Sequence, residues 1–137
     1  MEAQSKVSER SFVKGLLASL SLFEFSSVPT VGNRHQRAFN AAIQQLEDMR
    51  LAGETSTDRM PRWYPAAITG MYEEFDTALL ALQNIGITRA VGPYFMSVEI
   101  RVSEERARTI LDDFSPEEQA LFTELGSVFI YEANSHR

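Results

Sequence analysis

The chain has 137 residues, of which 44% are hydrophobic and 23% charged, and its formal net charge is -6 at pH 7. This length is typical of one domain, and the composition is that of a globular protein, which argues against disorder, collagen-like repeats and membrane spans. Because the chain contains no cysteine and only two histidines, disulfides, thiolate metal sites and histidine-rich metal centres are excluded. We therefore expect a single helical domain over residues 1–137, without a metal or a cofactor.

Charge is distributed unevenly along the chain. Residues 1–62 contain eight basic and seven acidic side chains, whereas the remainder contains five basic and twelve acidic ones. A protein that binds nucleic acid normally presents a basic stripe, because phosphate contacts supply most of its affinity. The candidates for such a stripe are Arg34, His35 and Arg37, joined by Arg59 and Arg62. The acidic second half disfavours nucleic acid as a partner and favours association between oppositely charged protein surfaces.

The N-terminal segment contains an uncharged run after its first basic residues. This run, residues 15–23, is nine residues long and is followed at once by Glu24. It is short for the core of a secretory signal and too short to span a bilayer. With no cysteine to indicate the redox compartment, we take the cytoplasm as the default localisation and expect no contact with a membrane.

Apolar residues spaced three and four apart predict helices in several segments. These helices are predicted at about 8–25, 33–52, 64–85 and 115–132. Asn33 is expected to cap the second helix, and Pro65 to occupy the first turn of the third. Gly86 is expected to end the third helix, with Ile87 packing back over its last turn. Ser115 opens a capping box at the start of the last helix, and the stretch 53–62 is predicted to be a polar loop.

Residues 93–114 allow two interpretations. Val98, Ile100 and Val102 alternate with polar residues, which is typical of a strand, and Ser103 could then cap a short helix. Alternatively, Pro93 begins one helix that runs to residue 114 and is apolar on two sides. We favour the helix because a lone strand needs a partner. The predicted fold class is therefore all-α, a compact bundle of four or five helices, with residues 94–102 buried centrally or covered by another chain.

The residues needed for catalysis do not form a recognisable pattern. There is no Glu-x-x-His pair for a dimetal centre and no glycine motif for binding phosphate. His35, in the first turn of the second helix, is expected to be exposed. An enzyme would need a buried carboxylate beside Tyr64, Tyr72 or Tyr94. The sequence therefore predicts a protein that is not an enzyme.

Two segments have the composition of protein-binding surfaces. Residues 59–65 combine two prolines with arginine, tryptophan and tyrosine, the side chains most often found at binding hot spots. For Trp63, burial at the end of the core is the competing interpretation. Residues 94–102 have an apolar excess, which burial within the monomer would also explain. The predicted partner-binding residues are Arg59, Arg62, Trp63, Tyr64, Tyr94, Phe95, Val98 and Val102.

The predicted function is that of a non-catalytic protein–protein interaction or regulatory module, which forms a homodimer or binds a protein partner. The alternative is a sensor or carrier of a small apolar ligand, with a pocket between the helices. The same residues would also fill an ordinary core. The residues expected to line such a pocket are Phe12, Phe39, Met71, Tyr72, Phe75 and Met96.

Overall fold

The computed structural model describes residues 5–92 and 96–135, which form five α-helices, three short β-strands and two 3-10 turns, at Val31–Asn33 and Thr55–Thr57. The helices and strands in chain order are α1 (Glu9–Leu22), β1 (Ser27–Pro29), α2 (Arg34–Leu51), α3 (Glu73–Gln83), β2 (Thr88–Val91), β3 (Ser97–Ile100), α4 (Glu104–Leu111) and α5 (Pro116–Ala133). The fold is mostly helical, as predicted, but the all-α class is wrong in its strict form because a small sheet is present.

Helix α1 is the centre of the bundle. It packs against α3, α4 and α5, and α2 also packs against α5. The contact between α1 and α5 is close because a glycine lies on each helix. A Cβ atom at Gly15 would lie 2.8 Å from Cζ of Phe122, and one at Gly126 would lie 3.1 Å from Oγ of Ser19. The missing side chains therefore allow the two helices to approach and bury Phe122 completely.

The aromatic residues predicted to line a ligand pocket pack mainly against one another. Phe39 stacks on Phe75 with ring centroids 4.0 Å apart, and its centroid lies 5.3 Å from Tyr72 and 6.5 Å from Phe12. Met96, from the same predicted set, is 49% exposed on the surface. Rings at these distances and angles are typical of a filled protein core.

Serine side chains cap three of the helices. Ser115 accepts a hydrogen bond from the backbone N–H of Glu118, whose carboxylate accepts one from the N–H of Ser115, so the predicted capping box is confirmed. Ser8 and Ser103 cap α1 and α4 by accepting a hydrogen bond from the backbone N–H of the residue three positions later. The predicted cap at Asn33 is wrong. That residue has a left-handed backbone, with φ 61°, and its side chain makes no capping hydrogen bond.

The predicted helix over residues 93–114 is wrong, and the strand interpretation is the correct one for its described part. Residues 97–100 form β3, the central strand of an antiparallel sheet with the order β1-β3-β2. Val28 in β1 pairs with Val98, and Thr88 in β2 pairs with Ile100. The short helix α4 follows, capped by Ser103. One partner strand, β2, is close to β3 in the sequence, whereas the other, β1, comes from a distant part of the chain.

Only one face of the sheet covers the core. Val28, Val98 and Ala90 are directly opposite one another and share the inner face with Ile100, which is buried. The outer face carries Ser27, Glu99 and Arg89 in one row. This one-sided burial removes the reason to expect a second apolar face that would have to be covered by another chain.

Both edges of the sheet are poor templates for adding a strand. Edge strand β1 ends at Pro29, which has no N–H to donate. On the other edge, the N–H of Ala90 donates to Oε1 of Gln83 at 3.1 Å. An edge strand with missing or occupied donors resists pairing with another chain.

The third helix is shorter than the predicted 64–85, because it begins at Glu73 rather than near Pro65. Its predicted end is confirmed. Gly86 has φ 77°, and the N–H of the buried residue Ile87 donates to the carbonyl oxygen of Leu82 at 3.0 Å. Residues 63–72 are thus released from the predicted helix and form a loop.

Candidate functional site

Residues 63–72 form a run of ten residues without a charged side chain, between Arg62 and Glu73. We call this segment the uncharged loop. Tyr64 is 70% exposed and Ile68 is 97% exposed, whereas Trp63 and Tyr72 at the two ends are buried. The loop therefore presents apolar side chains to solvent while its ends are held in the core.

Trp63 anchors the first end of the uncharged loop. Its ring lies 5.5 Å from that of Phe12 and 4.8 Å from that of Phe39, measured between centroids. Just before it, the guanidinium of Arg50 donates to the carbonyl oxygen of Pro61 at 3.3 Å. The predicted alternative for Trp63, burial at the end of the core, is the arrangement observed, so this residue positions the loop from beneath.

Tyr72 anchors the second end through its backbone and its ring. The side-chain amide of Gln36 donates to the carbonyl oxygen of Tyr72 at 3.0 Å and accepts from its N–H at 2.7 Å. The phenol donates to Oδ1 of Asn40 at 2.9 Å. Burial, assisted by the charge of Glu47, raises the pKa of Tyr72 above its ordinary value, so the phenol stays protonated and able to donate.

A tight turn closes the tip of the uncharged loop. The N–H of Ala66 donates to the carbonyl oxygen of Met71 at 2.9 Å, and the N–H of Gly70 donates to that of Ala66 at 2.8 Å. Gly70 has φ 70°, which is unfavourable for a residue with a Cβ atom. Because these bonds satisfy the backbone locally, Ile68 at the tip needs no contact with the core.

Two other exposed apolar side chains lie on helices next to charged residues. Leu51 follows Arg50, and Tyr131 precedes Glu132, so each has a charged neighbour in the chain. Single exposed apolar residues of this kind are common on protein surfaces and need no explanation. The uncharged loop differs because its Ile68, at 97%, is the most exposed of the large apolar residues that the structure describes and lies outside any helix or strand, whereas Leu80, in the uncharged stretch 77–88, is 64% exposed and lies on α3.

Arg59, a predicted partner-binding residue, is paired within its own chain. Its guanidinium donates two hydrogen bonds of 2.8 Å to the carboxylate of Glu118, and its third nitrogen donates to the carbonyl oxygen of Ser5 at 3.1 Å. These hydrogen bonds, which Arg59 donates and Glu118 accepts, lower the pKa of Glu118 and raise the pKa of Arg59. This pair connects the stretch 53–62 to α5, and Ser56, Thr57 and Met60 in that stretch are buried.

Arg62 lies beside the uncharged loop on a cleft lined by both basic and acidic side chains. Its side chain is 60% exposed, and its Nη1 lies 3.8 Å from Oε1 of Glu47. Lys6 and Arg50 also line this cleft, together with Asp58. Among the predicted partner-binding residues that the structure describes, Arg62 and Tyr64 are thus the two with largely exposed side chains.

The second predicted partner-binding segment, residues 94–102, is not exposed at the two predicted residues that the structure describes. Val98 is half-buried on the inner face of the sheet, and Val102 is buried after β3. Tyr94 and Phe95 lie outside the described residues, as does Pro93. The structure therefore separates Val98 and Val102 from the exposed surface around Tyr64.

His35 is buried, so the expectation of an exposed histidine is wrong. Its Nε2 lies 2.9 Å from Oδ1 of Asp76, and its ring lies over Phe75 with centroids 6.1 Å apart. Its Nδ1 is also buried and forms no hydrogen bond with the residues that the structure describes. This histidine joins α2 to α3 and is poorly accessible to a substrate.

Residues 5–92 and 96–135 contain no group of three or more histidine, cysteine or acidic side chains arranged to hold a metal ion. No helix in these ranges has the length and apolar character needed to cross a bilayer. Neither a family model, a curated protein nor a solved structure matches the chain.

Sequence reasoning missed the exposed position of Ile68, because it included this residue in the predicted helix at 64–85. One signal indicated a loop, namely Gly70 within the predicted helix. It also missed Gln36 and Glu118, whose partners Tyr72 and Arg59 lie 36 and 59 residues away in the sequence.

Proposed function

We propose that this protein is a non-catalytic interaction module that binds another protein chain through the uncharged loop. One observation carries the proposal: two buried aromatic anchors hold a ten-residue segment without charges so that Tyr64 and Ile68 face solvent. Removing an isoleucine side chain from water on binding contributes about 2 kcal/mol to the free energy of association. A partner that buries Ile68 therefore gains affinity without any change in the core of this protein.

The loop supports recognition by side chains rather than by strand addition. Both sheet edges are poor templates for another strand, as Pro29 and the contact of Ala90 with Gln83 show. Tyrosine and arginine are enriched among residues that dominate binding energy, and Arg62 and Tyr64 are two residues apart in the chain. A partner with an apolar pocket for Ile68 and a polar rim near Tyr64 fits this surface.

Photo-crosslinking from position 64 tests the proposal. Tyr64 is replaced with a photoreactive phenylalanine analogue in the source cells, and the matched control carries the same analogue at Tyr131, which is 78% exposed on α5. We expect a saturable crosslink to one protein from position 64 and none from position 131. Equal labelling from both positions would contradict a specific role for the loop.

Titration with the crosslinked protein, once purified, completes the test. The Ile68→Ser variant should weaken binding at least ~10-fold, which corresponds to about 1.4 kcal/mol. Leu80→Ser, on the outer side of α3, is the matched control and should leave the dissociation constant unchanged. An unchanged dissociation constant for Ile68→Ser would refute the proposal.

A further inference from the structure

Two clefts with different charge lie side by side at the turn formed by residues 54–58. The basic cleft is lined by Lys6, Arg50 and Arg62, with Glu54 and Asp58 as its acidic members. The acidic cleft is lined by Glu54 and by two glutamates of α5, and its described lining contains no basic residue. Those glutamates are Glu117 and Glu124. Because Glu54 lines both clefts, they are neighbours on one surface.

The charged groups in these clefts differ in how fully they are paired within the chain. Arg50 is occupied, since it donates to Glu47 and to the carbonyl oxygens of Thr57 and Pro61. The side chain of Arg62, in contrast, is largely exposed, and its ion pair among the described residues is a 3.8 Å contact with Glu47. In the acidic cleft, Glu124 accepts a hydrogen bond from the uncharged amide of Gln45. An exposed positive charge, that of Arg62, thus lies on one side of the turn, and the exposed negative charges of Glu117 and Glu124 lie on the other.

We propose that two copies of the protein associate across this turn, through a two-fold axis that places the basic cleft of each copy against the acidic cleft of the other. A two-fold axis repeats every contact, so Arg62 of each copy meets the glutamates of the opposite copy and the assembly closes at a dimer. Stacking the acidic cleft on itself would instead bring like charges together. Charge complementarity therefore selects the second copy and fixes its orientation.

Apolar contact is available at the same surface. Leu51, at the end of α2, is 87% exposed and precedes Glu54 by three residues, and the exposed residue Ala120 lines the acidic cleft. One unfavourable contact is built in, because the Glu54 side chains of the two copies approach each other near the axis. This surface does not include residues 63–72, so the dimer does not depend on the proposed function of the uncharged loop.

Salt dependence gives the first test, by sedimentation equilibrium of the unmodified protein. Raising sodium chloride from about 0.1 M to about 1 M shortens the Debye length from about 10 Å to about 3 Å. We expect the dissociation constant of the dimer to rise at least ~10-fold over this range. A monomer throughout, at concentrations up to those of the highest soluble stock, would overturn the proposal, as would a dimer that is insensitive to salt.

Exchange of charges gives a sharper test. Arg62→Glu and Glu124→Lys should each weaken self-association at least ~10-fold, because each variant places like charges opposite each other in both halves of its homodimer. Mixing the two variants should restore a heterodimer, since both contacts then pair opposite charges. Arg101→Glu and Glu105→Lys, exposed elsewhere, are the matched controls and should leave self-association unchanged. Failure of the mixture to associate more strongly than either variant alone would overturn the proposal.

Disulfide trapping locates the axis and needs no charge reversal. Because the natural chain has no cysteine, a single Glu54→Cys substitution introduces the only thiol. Under mild oxidation it should give a covalent dimer rapidly, whereas Thr109→Cys on α4 should not. Glu54→Gln should tighten the dimer by removing the like-charge contact. Equal trapping at positions 54 and 109 would contradict the two-fold arrangement. Ile68→Ser should leave trapping unchanged, which separates this proposal from that for the loop.

Discussion

Two segments rich in apolar residues, 63–72 and 97–102, differ in whether the fold covers their apolar side chains. In the second, Val98, Ile100 and Val102 turn inward and are covered by the chain itself. In the first, Trp63 is buried but Ile68 is exposed at the tip of a turn. An apolar excess alone does not identify a binding surface, because what matters is whether the fold provides something to cover it.

Substitution of a buried anchor of the uncharged loop should lower the free energy of unfolding far more than substitution of an exposed residue of the same loop. Trp63→Ala removes a ring packed on Phe12 and Phe39 and should lower the free energy of unfolding by about 4 kcal/mol. Tyr64→Ala, its neighbour and matched control, should change that free energy by no more than about 0.5 kcal/mol. Urea titration measures both. Equal losses would mean that Tyr64 is packed and that the loop is not divided into anchor and tip.

Breaking the ion pair between Arg59 and Glu118 should have the next largest effect on the free energy of unfolding. Arg59→Met leaves the buried carboxylate of Glu118 without its cation and should cost about 3 kcal/mol at neutral pH. Because Arg59 lowers the pKa of Glu118 in the folded protein, the pair stabilises the fold above the unfolded pKa, about 4.3. That stabilisation is lost as the pH falls through the lower folded pKa.

The difference in stability between the natural chain and Arg59→Met should therefore shrink as the pH is lowered below about 4. Urea titrations across the acid range measure this change. Arg108→Met removes an exposed pair with Glu104 and should cost no more than about 0.5 kcal/mol at any pH. A loss for Arg59→Met that stays constant with pH would show that the guanidinium acts through packing rather than charge.

The covered segment should show a period of two along β3. Ile100→Ala, on the inner face, should lower the free energy of unfolding by about 2 kcal/mol. Arg101→Ala, exposed immediately after β3, should change it by no more than about 0.5 kcal/mol. Chemical denaturation of the two variants provides the measurement. Similar costs at both positions would argue against one-sided burial of this segment.

The smallest effect on stability is expected at the tip. Ile68→Ser should change the free energy of unfolding by no more than about 0.5 kcal/mol, because Ile68 has almost no contact with the core. A differential scanning experiment beside the natural chain provides the check. A clear loss of stability would place Ile68 in the core and remove the distinction between the two segments.

Structural features that depend on residues close together in the chain are predicted correctly from the sequence. Features that depend on a residue distant in the chain are not. The capping box of Ser115 and the end of α3 at Gly86 are local, and both are confirmed. Helix α3 starts late because Gln36, from α2, binds both backbone groups of Tyr72. Local periodicity carries no information about such a contact.

The sheet and the candidate site show the same limit. Residues 97–100 pair with residues 88–91, which are close in the chain, but also with residues 27–29, which are distant in the chain and are not indicated by the local pattern. The composition of residues 59–65 indicated a surface of interest, but it could not show that Arg59 pairs with Glu118 while Tyr64 faces solvent. Only the fold divides that segment into structural and exposed residues.

The most direct test of the binding role combines two measurements on one sample of Ile68→Ser. The first is its thermal unfolding midpoint, and the second is its dissociation constant for the protein crosslinked from position 64. Our account predicts an unfolding midpoint equal to that of the natural chain and a dissociation constant raised at least ~10-fold. An equal dissociation constant, or a weaker affinity accompanied by a lower midpoint, would contradict it.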